Sequence, residues 1–354
     1  MEEQTLTTTP TQEQSGGPKL LVEIENLKTY FKLDEGLVKA VDGVTFDIYR
    51  GETLGIVGES GCGKSITARS ILQIIDPPGK IVEGSIRYHR AKGTQEQVID
   101  IAQIKPNSPL MRSIRGEEMA MIFQEPMTSL SPVYTIGNQI IEAIQLHRKM
   151  TKQEARNEAI DLLRKVGIAN PEQRVDEYPH QLSGGMRQRA MIAMALSCHP
   201  RLLLADEPTT ALDVTTQSQI LELMLELKRE MGMAIVMITH DLGVVAEMAQ
   251  RVVVMYLGRA VEVADVRSLF HDPKHPYTQG LMQSVPKIGR KTRERLQPIK
   301  GMVPNPYNRP KGCLFHPRCP QCIPGKCDLL EPPTVNLPGG RAVSCWLYEG
   351  SGQS

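Results

Sequence analysis

Two short stretches of the sequence carry side chains whose types and spacing suit phosphate chemistry. The first, GESGCGKS at 58–65, fits the pattern G-x-x-x-x-G-K-[ST], follows an apolar run and precedes a helix-like segment. Glycines let backbone N–H groups turn inward around phosphate oxygens, and the helix start adds partial positive charge. A plain glycine-rich turn needs no Gly-Lys-Ser ending. The expected nucleotide contacts are Gly58, Ser60, Gly61, Gly63, Lys64, Ser65 and Ile66.

Within this loop, we expect Lys64 to reach the β- and γ-phosphates and the Ser65 hydroxyl to bind Mg²⁺. The second stretch, LLLADEP at 202–208, is a buried strand that ends in two carboxylates. Asp206 can hold the Mg²⁺ shell, and Glu207 can act as the general base for an attacking water. An acidic residue at a strand end is more often only solvated, but the pairing with a phosphate loop favours the catalytic interpretation. The two motifs together predict a P-loop NTPase.

Four further motifs indicate which class of P-loop NTPase the sequence resembles. They are Gln124 in MIFQEP, LSGGMRQR at 182–189, ALD at 211–213 and His240 in MITHD. In this order, with the phosphate loop and LLLADEP, they resemble the ATP-binding subunit of an ABC transporter over residues 20–265. The resemblance implies an α/β P-loop ATPase domain with a RecA-like core, an antiparallel β subdomain and a helical subdomain.

The resemblance also implies roles for these residues. Gln124 would contact Mg²⁺ and the attacking water, and His240 would hold the γ-phosphate and orient Glu207. Asp213 would contact a facing subunit. The start of the helix after LSGG is a second anion-binding terminus, and it would cap the γ-phosphate of ATP bound to that facing subunit. The residues expected in this second half-site are Ser183, Gly184, Gly185 and Gln188.

The adenine ring would stack on an aromatic residue in LKTYF. Phe31 aligns with the aromatic of the family, and Tyr30 is the alternative, since a slip of one residue exchanges them. An aromatic side chain at a strand end is otherwise most often part of the core.

Features outside the shared motifs resemble the peptide/nickel importer subfamily. HPYTQGLM at 275–282 and the tail GCLFHPRCP are typical of that group, and the methionine of LSGGM resembles its D-type ATPase. The resemblance implies an F-type ATPase partner, two membrane permeases and an extracytoplasmic solute-binding protein. Peptides are the expected solute. Nickel, glutathione or another solute remains the alternative.

Five of the seven cysteines lie near the end of the chain. In a reducing compartment, thiols are expected to bind metal rather than form disulfides. Spacing alone leaves zinc and iron–sulfur open, and buried thiols can also act as small hydrophobic groups. The family resemblance implies a [4Fe–4S] cluster on four of them. The expected ligands are Cys313, Cys319, Cys327 and Cys345, with Cys322 as the alternative to Cys327.

The elements that position these residues follow from the hydrophobic pattern. Short apolar runs at 53–58, 201–206 and 233–239 predict buried parallel strands, and 150–168 predicts an amphipathic helix. Thirteen of the 25 prolines follow residue 265, so long regular elements are not expected there. The expected organisation is a mobile tail at 1–18, an ATPase domain at 19–265 with a helical subdomain at about 125–182, and a Pro/Cys-rich C-terminal extension at 266–354 holding the metal cluster.

Charge and hydropathy argue against other functional classes of protein. Lys and Arg total 41 and Asp and Glu total 40, and no basic, aromatic-rich stripe is present. These features argue against a nucleic-acid-acting ABC ATPase with a zinc module, and no flavin motif supports an electron-transfer enzyme. Without a signal-peptide pattern or an apolar run of bilayer length, we expect a peripheral protein on the cytoplasmic face of the inner or plasma membrane.

Overall fold

The computed structural model describes residues 19–92, 95–124, 129–210, 212–284 and 299–351. The predicted tail at 1–18 lies outside these residues, as does Ala211 of the ALD motif. Within the described residues the chain forms twelve strands: β1 (Leu20–Leu33), β2 (Gly36–Tyr49), β3 (Thr53–Val57), β4 (Gly79–Lys92), β5 (Gln95–Asp100), β6 (Met119–Ile122), β7 (Leu202–Asp206), β8 (Ala234–Ile238), β9 (Arg251–Tyr256), β10 (Arg259–Asp265), β11 (Thr334–Leu337) and β12 (Arg341–Ser344).

Ten α-helices and four 3₁₀ helices accompany these strands in the described part of the chain. The α-helices are α1 (Lys64–Ile71), α2 (Pro109–Ile114), α3 (Ile136–His147), α4 (Lys152–Lys165), α5 (Pro171–Arg174), α6 (Gly184–Leu196), α7 (Val214–Met231), α8 (Leu242–Met248), α9 (Val266–His271) and α10 (Pro276–Gln283). The 3₁₀ helices are Ile101–Gln103, Pro179–Gln181, His316–Arg318 and Trp346–Tyr348.

The strands form two sheets. A four-stranded antiparallel sheet has the order β2-β1-β4-β5, and an eight-stranded sheet has the order β11-β12-β10-β9-β3-β8-β7-β6. Strands β3, β7 and β8 are buried along their whole length, as expected for parallel strands covered on both faces. Their continuous apolar runs therefore gave the correct prediction of three central strands. The α/β fold class is confirmed.

The predicted helix at 150–168 is present as α4. Thr151 caps it: the Thr151 hydroxyl accepts a hydrogen bond from the backbone N–H of Glu154, and the Glu154 carboxylate accepts one from the N–H of Thr151. This reciprocal pair satisfies two N–H groups that a helix start leaves without partners. Ala155, Ala159 and Leu163 then face a core shared with α3 and α6.

The chain after residue 265 packs closely on the rest of the molecule. Strand β12 pairs with β10 through Glu262 opposite Val343 and Val263 opposite Ala342, so the extension continues the main sheet. Its Leu314 and Phe315 belong to one buried cluster with residues of β9 and β10. The extension thus shares a core with the ATPase region, which its high proline content did not indicate.

Candidate functional site

The phosphate loop lies between β3 and α1 and depends on its glycines. Gly61 has φ +75°, and Gly58 and Gly63 have φ +150° and +98°, a region that side chains rarely adopt. A Cβ on Gly63 would lie 2.2 Å from the carbonyl oxygen of Ala40, and one on Gly58 would lie 2.2 Å from that of Met255. The loop therefore requires glycine at these two positions for space as well as for conformation.

Lys64 is the first residue of α1 and is 6% exposed. Its Nζ donates hydrogen bonds to the carbonyl oxygens of Gly58 at 2.8 Å and Glu59 at 3.1 Å. The ammonium group is thus curled into the loop, where backbone carbonyls occupy the positions that phosphate oxygens could take. Of the other predicted loop contacts, Ser60 is exposed, and Ile66 is partly buried against the core beside α1.

Ser65 and Asp206 meet at the carboxyl end of the central strands. The Ser65 hydroxyl donates a hydrogen bond of 2.9 Å to Oδ1 of Asp206, which is 2% exposed. Burial raises the pKa of Asp206, the Ser65 hydrogen bond opposes the rise, and the nearby charge of Glu207 adds to it. A buried carboxylate beside a hydroxyl, with a second carboxylate next to it, offers hard oxygen ligands that fit Mg²⁺.

Glu207 follows β7 and is held from three sides. Its Oε2 accepts hydrogen bonds from Nε2 of Gln124 and from Oγ1 of Thr210, both at 3.0 Å, and its Oε1 lies 3.1 Å from Nδ1 of His240. The residue has φ +46°, and its N–H is fixed by the carbonyl oxygen of Ile238 at 2.9 Å. A non-glycine residue in this region costs of order 1 kcal/mol or more, which often marks a functional position.

The structure therefore brings together Gln124, Asp206, Glu207 and His240, although the sequence separates Gln124 and Glu207 by 83 residues. Thr210 is a further contact of Glu207 that sequence reasoning missed, although it lies only three residues after Glu207. Phe31 lies apart from this group, in β1 opposite Gly79 of β4.

The two aromatic candidates for adenine differ in their contacts. An ideal Cβ on Gly79 would come within 2.5 Å of the Phe31 ring, so the ring lies against this glycine. The Tyr30 hydroxyl instead donates a hydrogen bond of 2.5 Å to Oδ1 of Asp42. Burial raises the pKa of Tyr30, and its hydrogen bond to Asp42 raises it further. The Tyr30 hydroxyl is thus engaged in a polar contact. The Phe31 side chain is an apolar ring with no polar group.

The second predicted half-site opens helix α6. Ser183 is the N-cap, and its Oγ accepts a hydrogen bond of 3.3 Å from the N–H of Met186. A Cβ on Gly184 would meet nothing within 4 Å, so this side of the helix start is open, whereas one on Gly185 would lie 3.0 Å from Thr216. Gln188 is 2% exposed and its Nε2 is buried without a hydrogen-bond partner among the described residues.

Asp213 is the N-cap of α7. Its Oδ1 accepts from the N–H of Thr216 at 3.0 Å and its Oδ2 accepts from the Thr216 hydroxyl at 2.7 Å. The backbone hydrogen bond from Thr216 lowers the pKa of Asp213, so it is ionised at neutral pH. Within this chain, the carboxylate therefore stabilises the start of α7 while remaining at the surface.

One contact of the phosphate loop was not predicted. The Glu59 carboxylate accepts two hydrogen bonds from Arg318, and the N–H of Glu59 donates to the Tyr277 hydroxyl at 2.9 Å. Both partners belong to the extension, more than two hundred residues further along the chain. No local pattern could have indicated this contact. A cleft of about 290 Å³ next to it is lined by Gly58, Glu59, His240, Gly243 and Leu281, among others.

The cysteine-rich tail does not form the predicted cluster. In the part of the chain that the structure describes, no group of three or more His, Cys, Asp or Glu side chains is placed to hold a metal ion. The [4Fe–4S] assignment is therefore wrong, and the structure supports zinc no better. The residues concerned are Cys313, Cys319, Cys327 and Cys345, with Cys322 as the alternative.

The reason lies in the packing of the tail. Cys313 and Cys327 are buried in the apolar cluster that joins the extension to β9 and β10, while Cys345 packs with Leu337 and Val343. Burial raises the pKa of Cys319 and Cys345 to about 11, and the neighbouring Cys313 thiol adds to both rises. These thiols act as small hydrophobic groups, and the tail is held by sheet pairing and apolar packing.

Comparisons with known proteins agree with this geometry. The family described as ABC transporter matches residues 41–210, and the one described as oligopeptide/dipeptide transporter, C-terminal region, matches residues 261–327. The oligopeptide transport ATP-binding protein AppD of Bacillus subtilis (strain 168) is 52% identical over 94% of this chain and 98% of its own length. The dipeptide transport ATP-binding protein DppD of Escherichia coli (strain K12) is 47% identical over 92% of this chain and 96% of its own length.

A solved structure shares the fold. A dimeric ATP-binding cassette in a post-hydrolysis state, bound to ADP and Pi, superposes with a TM-score of 0.61 and 27% identity, covering 70% of this chain and 99% of its own. The chain belongs to the family of ATP-binding subunits of ABC transporters, and it is an ATPase of the peptide-importer type. In the described residues, no helix combines the length and apolarity needed to span a membrane.

Proposed function

We propose that this chain is the ATP-hydrolysing subunit of a multi-subunit importer that carries di- and oligopeptides across the cytoplasmic membrane. The match of residues 261–327 to the oligopeptide/dipeptide transporter region and the relatives named for peptide transport support this solute class. Nickel and glutathione are not favoured, and neither is a nucleic-acid-acting ATPase. An ATPase domain at 19–265 and an extension at 266–354 are part of the proposal.

The observation that carries the catalytic role is the position of the Glu207 carboxylate between Gln124 and His240. Glu207 accepts the proton of the attacking water, a role that contributes about 10²- to 10⁴-fold to the rate. His240, whose side chain is 64% exposed, holds Glu207 on one side and presents its other ring nitrogen to the γ-phosphate. Gln124 donates a hydrogen bond to the second carboxylate oxygen of Glu207 and orients the attacking water.

We assign nucleotide binding to the phosphate loop at 58–65 and to the residues next to it. The backbone N–H groups of Gly58, Ser60, Gly61 and Gly63 enclose the phosphates, and Lys64 exchanges its carbonyl partners for phosphate oxygens. The Phe31 ring stacks on adenine, and Ile66 supports the loop from α1. Mg²⁺, when bound, neutralises the phosphate charge and orients the γ-phosphate. Ser65, Asp206 and Gln124 supply the protein oxygens for it.

The second half-site acts on the nucleotide of a partner ATPase. Ser183, Gly184 and Gly185 present the open start of α6 to the γ-phosphate, the buried Gln188 lies one turn further along α6, and Asp213 faces the partner. This arrangement needs two ATPase subunits facing each other, because the loop and α6 of one chain bind different nucleotides. We propose an F-type ATPase as the partner in a heterodimer.

The remaining partners follow from the peptide-importer type of the chain. Two membrane permeases hold the ATPase pair at the cytoplasmic face of the membrane, and an extracytoplasmic solute-binding protein delivers the peptide. The helices α3 to α5, within the proposed helical subdomain at about 125–182, form the side that contacts a permease. Movement of that side reaches Glu207 through Gln124, which lies at its border.

The proposal is tested by reconstituting this chain with an F-type ATPase and the two permeases in lipid vesicles. Solute-binding protein loaded with a dipeptide or an oligopeptide should raise ATP hydrolysis and drive labelled peptide across the vesicle membrane. The Glu207→Gln variant should abolish both activities while the complex still assembles. Stimulation by nickel- or glutathione-loaded binding protein, without any response to peptides, would instead assign the importer to that solute.

A further inference from the structure

Every polar group of Glu59 is engaged, and its N–H and carboxylate both contact residues of the extension. The N–H donates to the Tyr277 hydroxyl at 2.9 Å, while the two carboxylate oxygens accept from Nη1 and Nη2 of Arg318 at 2.7 and 3.0 Å. The carbonyl oxygen accepts from Lys64 Nζ. We call Glu59, Tyr277 and Arg318 the loop–extension contact. It fixes the second residue of the phosphate loop in both position and orientation.

The two partners of Glu59 are themselves rigidly held. Tyr277 is fully buried, with its ring centroid 4.7 Å from that of Tyr256 and 5.4 Å from that of Phe315. The Arg318 side chain is 4% exposed, and its guanidinium lies 5.9 and 6.0 Å from the Tyr256 and Phe315 ring centroids. A two-pronged pair between a guanidinium and a carboxylate adds directional precision to its strength.

We propose that Tyr277 and Arg318 are positioning residues for the nucleotide site, and that the extension sets ATP affinity by holding Glu59. A loop whose start is already fixed loses less conformational freedom when the nucleotide arrives, so it binds more tightly. Loss of the contact lets the start of the loop move, and binding must then order it again. The inference rests on the proposed nucleotide site at 58–65.

If the loop–extension contact had a purely structural role, a different experimental result would be expected. The extension is also attached by the pairing of β12 with β10 and by the buried cluster around Leu314 and Phe315. Removing the Arg318 charge therefore leaves these attachments in place. If the contact served only to attach the extension, the thermal midpoint would fall while ATP affinity stayed the same.

The test measures equilibrium binding of Mg-ATP to the purified full chain. Arg318→Met and Glu59→Gln should each raise the Kd about tenfold. Their combination should cost little more than either alone, because both remove the same contact. Arg318→Lys keeps the charge but not the two-pronged geometry and should lie in between. Tyr277→Phe removes one hydroxyl, keeps the buried ring and should weaken binding measurably.

A matched control is available on the helical side of the molecule. Arg156 makes the same kind of two-pronged pair with Asp176, at 2.7 Å for each hydrogen bond. Arg156→Met should leave the Kd for Mg-ATP unchanged. In the reconstituted transporter, Arg318→Met should raise the KM for ATP with kcat kept within about twofold, because Glu207 and its partners are not part of the contact.

The inference is overturned if Arg318→Met and Tyr277→Phe bind Mg-ATP as the unchanged chain does, or if Arg318→Met and Glu59→Gln are fully additive. Should Arg318→Met fail to fold, Tyr277→Phe decides the matter. Lys64→Ala serves as the separate check of the nucleotide site. If it binds Mg-ATP as tightly as the unchanged chain, the site itself is misplaced and the inference falls with it. If Lys64→Ala alone weakens binding, only the inference fails.

Discussion

The Ser65 hydroxyl donates a 2.9 Å hydrogen bond to Asp206, although 141 residues separate the two in the chain. The contact exists because β3 and β7 both pair with β8 in parallel, so their carboxyl ends meet at one edge of the sheet. A hydroxyl and a buried carboxylate at this edge are the oxygen ligands that we expect for Mg²⁺.

The first prediction concerns that ligand pair. Asp206→Asn keeps the size of the side chain but removes the charge, so the Mg²⁺ concentration for half-maximal ATP hydrolysis should rise by about tenfold or more. The measurement is a Mg²⁺ titration of ATP hydrolysis in the reconstituted transporter. Asp176→Asn, which alters a surface carboxylate of the helical side, is the control. An identical Mg²⁺ requirement in both variants would remove Asp206 from the metal shell.

The second prediction concerns the general base. Glu207→Gln keeps a side chain that can still contact His240 but cannot accept a proton, so turnover should fall by about two to four orders of magnitude. Mg-ATP binding should persist, and the variant should accumulate as an ATP-bound pair with its partner ATPase. Single-turnover hydrolysis and size-exclusion chromatography report the two effects. Turnover within about threefold of the unchanged chain would place the base elsewhere.

The third prediction concerns assembly. The isolated chain should hydrolyse ATP poorly, because in the proposed pairing the open start of α6 and the phosphate loop serve different nucleotides. Activity should rise when an F-type ATPase and the permeases are added, and it should depend on protein concentration. Light scattering alongside the assay gives the oligomeric state. A proven monomer with full, concentration-independent activity would contradict the proposed pairing, whereas a homodimer would exclude only the F-type partner.

The fourth prediction concerns pH and the buried His275. Burial lowers the pKa of His275 to about 3, whereas an unfolded chain has a histidine pKa of about 6.5. Below pH about 6.5 the unfolded state binds a proton that the folded state does not, so His275 makes stability fall as pH decreases towards 3, by up to about 1.4 kcal/mol per pH unit.

His275→Asn tests this dependence, because asparagine can still accept the hydrogen bond that the His275 Nδ1 receives from the N–H of Tyr277. The variant should lose less stability than the unchanged chain between pH 6.5 and pH 4.5, as followed by thermal unfolding. His271→Asn, at the end of α9, is the control. Parallel pH profiles for His275→Asn and the unchanged chain would show that His275 does not set this dependence.

The fifth prediction concerns the thiols of the tail. Cys313→Ser places a hydroxyl among apolar side chains and should cost about 1–3 kcal/mol of stability. Cys322→Ser, at a less buried position, should cost much less. Addition of a chelator should leave the thermal midpoint of the unchanged chain where it was. A large fall on chelation would reopen the question of a metal in the extension.

The sequence alone determined the fold class and the class of ATPase, and it indicated the candidate site. The runs at 53–58, 201–206 and 233–239 could be assigned because parallel strands covered on both faces are apolar along their length. The phosphate loop could be assigned because Gly58 and Gly63 occupy conformations and spaces that only glycine tolerates. Such local constraints act over a few residues, and they leave a pattern that can be read directly.

Only the tertiary structure decided the role of the extension. Its prolines and cysteines suggested a segment without a core that needed a metal, but apolar packing on β9 and β10 supplies that core instead. The contact of Glu59 with Tyr277 and Arg318 likewise had no signal in the sequence. Burial and long-range ion pairs depend on which surfaces, distant in sequence, meet in the fold. The spacing of residues along the chain does not show which surfaces will meet.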